Sequence, residues 1–216
     1  MFKSNPNISF NSFIKVYDNV LTEEFCKEVC QKLDRDPRKK LGVFGPTLKS
    51  DPDFKSSLDL KISWFSEWKE EDEIFFMSIS EFLKKYQEDI QTATSGKFSF
   101  SYEGDLYADT GYLVKVYKPG GHYDWHQDYV VDAYHGVREL TFIWYLNDDF
   151  DEGETEFCNG QKIIPKTGRL LIFPSNWMYV HRGCRVKNNN KYIATGWYHH
   201  QHAKTKDVFD MINKDN

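Results

Sequence analysis

The sequence predicts an α+β fold with a mainly β core, in which an N-terminal helical half supports a C-terminal β half. Three observations carry this. Residues 71–90 place apolar side chains at helical spacing. After residue 112, four apolar or alternating runs, too short for helices, are separated by turn clusters. Aromatic residues reach 17% of the chain, a load suited to pleated, half-buried surfaces. A length of 216 residues suits one domain and can bury a core without disulfide staples. The expected organisation is a single domain over residues 1–216, with helical support over about 13–92 and a β core over about 96–200.

The elements follow in order. FIKVYDNV (13–20) reads as a short strand. Thr22 is a candidate N-cap, and Glu23 and Glu24 place negative charge in the first turn of a helix. Phe25, Cys26, Val29, Cys30 and Leu33 continue it at helical spacing until Pro37 stops it. Residues 36–59, with three prolines and two glycines, form a long loop of the kind that is often functional. DLKISWF (59–65) reads as a strand. In the helix over 71–90, Ile74, Phe75, Ile79, Phe82, Leu83, Tyr86 and Ile90 build one apolar stripe, which TSGKF (94–98) ends. The strands LVKVY (113–117), LTFIWYL (140–146), RLLIF (169–173) and KYIATGWY (191–198) are divided by KPGG, NDDFDEG, PKTG and VKNNN. Short strands at such spacing predict a sandwich or barrel rather than β-α-β units.

The net charge of -5 excludes a general nucleic-acid binder, which needs a basic face. No apolar run reaches membrane-spanning length, and the polar MFKSNPNISFNSF lacks the core of a signal peptide. The expectation is a soluble, cytoplasmic protein. Four cysteines without a C-x-x-C pair read as buried hydrophobes rather than a zinc site, Cys26 and Cys30 sharing one helix face.

The chemistry is concentrated in HYDWHQDY (122–129). In a strand, residues i and i+2 share a face, so His126 and Asp128 can grip one metal. With the downstream His181 they make two histidines and a carboxylate, the ligand set of non-haem Fe(II) oxygenases, which leaves open coordination positions. Ten residues on, Lys191 opens an apolar strand, where burial is costly unless an anion pairs with it. A dicarboxylate chelating the metal would present its far end to such a cation. The competing reading is a strand-end lysine that snorkels to solvent.

Six segments, VYKPGGHYDWHQD (116–128), TFIWYLND (141–148), EGETEF (152–157), PKTGRLLIFPS (165–175), HRGCRV (181–186) and KYIATGW (191–197), agree in order, spacing and residue type with a known family. The chain resembles the prolyl 4-hydroxylase-like 2-oxoglutarate/Fe(II)-dependent dioxygenases, from about Tyr112 to Tyr198. The resemblance implies a double-stranded β-helix (jelly roll), with Fe(II) on His126, Asp128 and His181. It implies that Lys191 and Tyr145 hold the distal carboxylate of 2-oxoglutarate and that Tyr117 lies near its chelating end. Thr155 and Thr195 become candidate hydroxyl donors in that pocket, and Trp197 a residue packed beside the metal. The implied activity is hydroxylation of a C–H bond with O2, releasing succinate and CO2, first on a prolyl residue of a peptide or protein. Ascorbate would keep the iron reduced. Asp128 favours hydroxylation over halogenation, since halogenating relatives lack the carboxylate.

His122 and Asp124 form an earlier H-x-D, expected to orient a ligand imidazole from outside the metal site. His199, His200 and His202 are expected beyond the last core strand, in solvent. His135, in the loop 129–139, could meet substrate. Two other readings stay open at this point: the same chemistry on a free amino acid, another side chain or a small metabolite, and a jelly-roll binding module without catalysis.

Overall fold

The computed structural model describes residues 8–45, 47–98, 107–132 and 136–200. After a 3-10 turn, Phe10–Phe13, strand β1 (Lys15–Tyr17) leads into helix α1 (Glu23–Arg35). Thr22 caps that helix, its hydroxyl accepting the Phe25 N–H at 3.2 Å. The helix ends at Asp36, whose carboxylate accepts the Trp68 indole N–H at 2.9 Å and pairs with Arg38 at 2.7 Å. The long loop then holds two short strands, β2 (Lys40–Leu41) and β3 (Ser57–Lys61). The strand read from sequence over 59–65 therefore begins earlier and gives way at Ile62 to a 3-10 turn, Ile62–Trp64. Helix α2 (Lys69–Ala93) buries Phe75, Ile79, Tyr86 and Ile90, while Ile74 of the expected stripe faces solvent. Cys26 is buried and Cys30 half-buried, and all four cysteines are free. Among the described residues, no helix is long and apolar enough to cross a membrane.

The β half contributes β4 (Tyr107–Asp109), β5 (Leu113–Tyr117), β6 (Tyr123–His126), β7 (Val131–Asp132) and β8 (Gly136–Tyr145). There follow β9 (Asp151–Glu152), β10 (Thr155–Phe157), β11 (Lys162–Ile163), β12 (Arg169–Pro174), β13 (His181–Gly183), β14 (Val186–Lys187) and β15 (Lys191–His200). The main sheet runs β1-β12-β8-β15-β5-β3-β2, with β4 on β15 and β7 on β8; a smaller sheet runs β11-β10-β13-β6. Pairing is antiparallel throughout, and the two sheets close over a common interior as the expected jelly roll.

Two cores follow from the period of two along each strand. Val114, Val116, Phe142, Trp144, Leu170, Ile172 and Ala194 pack outward against α1 and α2. The alternate residues Tyr117, Ile143, Tyr145, Leu171, Phe173 and Ile193 point into the jelly roll, where they meet Phe157 and Ile163 of the smaller sheet. This double burial explains why LTFIWYL and RLLIF are continuously apolar: both faces of the sheet are covered.

The turn before β12 ties the halves together. Gly168 has φ +77°, donates its N–H to the Tyr145 carbonyl at 2.9 Å, and accepts from the N–H groups of Val20 and Leu21. A Cβ there would lie 2.3 Å from the Leu21 carbonyl oxygen. Gly168→Ala should therefore lower stability by about 2–4 kcal/mol, since backbone strain and a backbone clash add. Denaturant unfolding checks this, and a loss below about 1 kcal/mol would contradict it.

Candidate metal centre

Strands β6 and β13 are neighbours, with His126 directly across from His181. Between that pair and the next, Gly183 with Tyr123, the register shifts, because β6 carries one residue more than β13. This bulge breaks the alternation along HYDWHQD. Tyr123, not Asp124, lies flat against the His126 ring, with centroids 3.5 Å apart. Asp128 follows just beyond β6 and turns back to the two histidines. His126 Nε2 lies 3.8 Å from one Asp128 oxygen and His181 Nε2 lies 3.9 Å from the other. All three ligand atoms fall within 4.8 Å of one another.

Local contacts set the protonation of this group. His126 Nδ1 donates to the Asp124 carbonyl at 2.7 Å, and His181 Nδ1 donates to the Tyr179 carbonyl at 3.0 Å. A carbonyl can only accept, so each Nδ1 carries the proton and each Nε2 turns its lone pair to the shared centre. Burial lowers both imidazoles from the usual histidine range, His126 to about 3, and so favours their neutral forms. Burial raises the Asp128 carboxyl, while the permanent charge of Arg138 and that of Lys115 pull it toward the ionised form. Thr141 Oγ1 donates to Asp128 at 2.9 Å and is itself held 2.8 Å from Ser175 Oγ. Two neutral nitrogens and one carboxylate, fixed by such contacts, fit a divalent cation with open positions.

The cosubstrate candidates stand on the interior face of the main sheet. Lys191 is 3% exposed, and its ammonium donates to the Gly153 carbonyl at 2.6 Å. It lies 5.6 Å from the Tyr117 ring centre and 5.7 Å from that of Tyr145, with no carboxylate in ion-pair reach among the described residues. Burial lowers its pKa to about 8. Tyr117 sits directly across from Lys191 in the β5/β15 register. The Tyr145 hydroxyl is 2.7 Å from Thr155 Oγ1, so these two form one polar unit. Thr195 Oγ1 and Trp197 Nε1 are buried with no hydrogen-bond partner.

The structure revises three expectations. His122 does not orient a ligand imidazole: its Nε2 lies 3.0 Å from the Asp53 carbonyl oxygen and its Nδ1 3.4 Å from Ser56 Oγ, which ties it to the loop before β3. Asp124 does orient His126, but through its backbone carbonyl, and its carboxylate accepts the Trp125 N–H instead. His199 is not in solvent, because β15 runs on to His200 and buries it; His200 lies 3.4 Å from Glu139. His135 and His202 lie outside the described residues. Sequence reasoning also missed Thr141, Lys115 and Arg138, whose guanidinium lies 3.9 Å from the centre of the Trp197 ring. Lys115, a lysine inside an apolar strand, carries the same signal that singled out Lys191.

Residues 112–199 match the family described as the 2OG-Fe(II) oxygenase superfamily. Over this stretch, about two fifths of its length, the chain is similar to 2-oxoglutarate/Fe(II) oxygenases. It is 31% identical over 117 residues to prolyl 4-hydroxylase 1 of Arabidopsis thaliana, covering 42% of this chain and 41% of that protein. It is 35% identical over 103 residues to a putative prolyl 4-hydroxylase of Acanthamoeba polyphaga mimivirus, covering 39% and 43%. The chain thus matches about two fifths of the length of these relatives. In fold it is similar to a Trichoplax adhaerens prolyl hydroxylase solved with a hypoxia inducible factor peptide fragment, at TM-score 0.65 and 17% identity over 88% of this chain and 84% of that one. It is also similar to the viral collagen prolyl hydroxylase of Paramecium Bursaria Chlorella virus-1, at TM-score 0.58 and 21% identity over 86% and 94%.

Because burial depresses both imidazoles, protons compete for the metal only well below their ordinary pKa. Mn(II) affinity, followed by equilibrium titration, should change less than about threefold between pH 8 and 6. Two unperturbed histidines would lose about fifteenfold over that span, and a loss of that size would contradict the assigned environment.

Proposed function

We propose that this chain is an Fe(II)- and 2-oxoglutarate-dependent dioxygenase that hydroxylates a C–H bond, with a prolyl residue of a peptide or protein as the first substrate class. One observation carries the reading: two neutral, oriented imidazoles and Asp128 face the interior that also holds Lys191, a buried ammonium without an anion. Fe(II) bound there, with 2-oxoglutarate and O2, supplies oxidation of the C–H bond to an alcohol with release of succinate and CO2. His126, Asp128 and His181 would hold the metal, and Thr141 would fix the carboxylate's orientation. Lys191, with the Tyr145 hydroxyl, would take the distal carboxylate of the cosubstrate. Phe173, edge-on to His181, and Phe157, tilted beside it, keep water from that side of the site. The prolyl 4-hydroxylase relatives support the substrate class, and ascorbate fits as the reductant that maintains the iron.

The purified protein with Fe(II) and 2-oxoglutarate should release succinate, and Asp128→Ala should reduce that release at least about a hundredfold, through loss of metal. His122→Ala should retain metal affinity; if it loses iron while Asp128→Ala keeps it, the ligand assignment is wrong. A jelly-roll binding module would release no succinate at all.

Lys191→Met should raise the 2-oxoglutarate half-saturation at least about tenfold, since one charge-assisted hydrogen bond disappears. Its metal affinity should stay within about threefold. Equal losses of both would show that the lysine supports the fold rather than the cosubstrate.

A further inference from the structure

A second lysine enters the jelly roll from β5. Val114 and Val116 pack outward against the helices, so alternation sends Lys115 inward beside Tyr117. It is 5% exposed, and its ammonium lies 5.5 Å from the centre of the Trp197 ring. Trp197 stands across from Thr141, whose hydroxyl holds Asp128, which places Lys115 on the metal's side of the interior. Lys191 instead donates to the Gly153 carbonyl at 2.6 Å and lies 5.6 Å and 5.7 Å from the Tyr117 and Tyr145 ring centres. The two lysines therefore serve different parts of the cavity.

Lys115 has no hydrogen bond or ion pair among the described residues. Asp59 stands across from it in the β3/β5 register, but its carboxylate is 2.7 Å from the buried Lys55 ammonium. The other nearby anion, Asp128, is a candidate metal ligand, and a bound cation takes up its charge. Burial lowers the Lys115 pKa to about 8, so the group remains largely charged at neutral pH. Next to it on β15, Thr195 Oγ1 and Trp197 Nε1 are the buried donors without partners. An ammonium and two neutral donors on one side of the interior are costly to bury unless an anion joins them.

We propose that the interior beside Trp197 is a carboxylate subsite for the prime substrate, in which Lys115, with the Trp197 indole N–H and the Thr195 hydroxyl, holds a carboxylate within about one residue of the carbon to be hydroxylated. The subsite rests on the dioxygenase reading and narrows its substrate class to compounds acidic near the reacting carbon. Such a carboxylate comes either from a free amino acid or from an acidic side chain beside a proline.

Calorimetric titration of the protein loaded with Mn(II) and 2-oxoglutarate separates these cases. The probes are L-proline against L-prolinamide, and acetyl-Ala-Pro-Glu-amide against acetyl-Ala-Pro-Gln-amide. In at least one pair the acid should bind about tenfold tighter or more, the increment of one charge-assisted hydrogen bond. Which pair shows it identifies the source. Lys115→Met should erase the preference and Lys115→Arg should restore part of it. The subsite is overturned if acid and amide bind alike, if neither acid binds, or if Lys115→Met keeps the preference. It is also overturned if that variant loses 2-oxoglutarate affinity instead, because the lysine would then serve the cosubstrate. The wild-type comparison decides the matter even if a variant fails to fold. Failure of the loaded protein to take up Mn(II) or 2-oxoglutarate would sink the dioxygenase reading itself, a different result from equal binding of acid and amide.

Discussion

Strand β15 pairs with β8 from Ile193 to His200 and, on its other edge, with β5 from Lys191 to Thr195, and the chemistry of the interior depends on that pairing. Because side chains alternate with a period of two, the register decides at once what faces the helices and what faces the cavity. With Thr195 opposite Ile143 and Leu113, the residues Lys191, Ile193, Thr195 and Trp197 all turn inward. A slip of one residue would bring Tyr192 and Ala194 into the cavity and push a lysine and a tryptophan into the apolar layer under α1 and α2. The outer core thus enforces the inner site: Ala194 and Trp144 anchor a register whose consequences are read on the opposite face.

The two sheets divide the labour. The smaller sheet supplies His126 and His181 across one antiparallel pair, while the main sheet supplies the cations and hydroxyls that face them. Placing donors on strands rather than on loops holds them in fixed geometry before any ligand arrives. The bulge in β6 is part of this arrangement. It separates Asp124 from the metal side, yet leaves its carbonyl in place to accept from His126 Nδ1.

Buried charge sets the energetic character of the interior. Lys55 and Asp59 neutralise each other, whereas Lys191 and Lys115 form no ion pair among the described residues. Unpaired buried ammonium groups oppose folding. The same cost explains the lowered pKa of both lysines, since the neutral form is cheaper to bury.

Much of this was legible in the residues themselves. Helix α1, from its Thr22 cap to its stop before Pro37, and strands β5, β8, β12 and β15 are local patterns, where spacing and turn residues suffice. Ordered motifs identified the candidate ligands and Lys191 for the same reason, since each lies in a short, recognisable run. What the sequence could not determine depends on distant partners. Whether His122 or His126 faces the centre turned on a bulge against β13, and whether His199 is buried turned on how far β15 extends along β8. Lys115 carries the same signal as Lys191, a lysine within an apolar run, but its place near Trp197 depends on how the strands pair. Alternation along a strand is written in the chain, but which face becomes the inside is decided only when the sheets and helices pack.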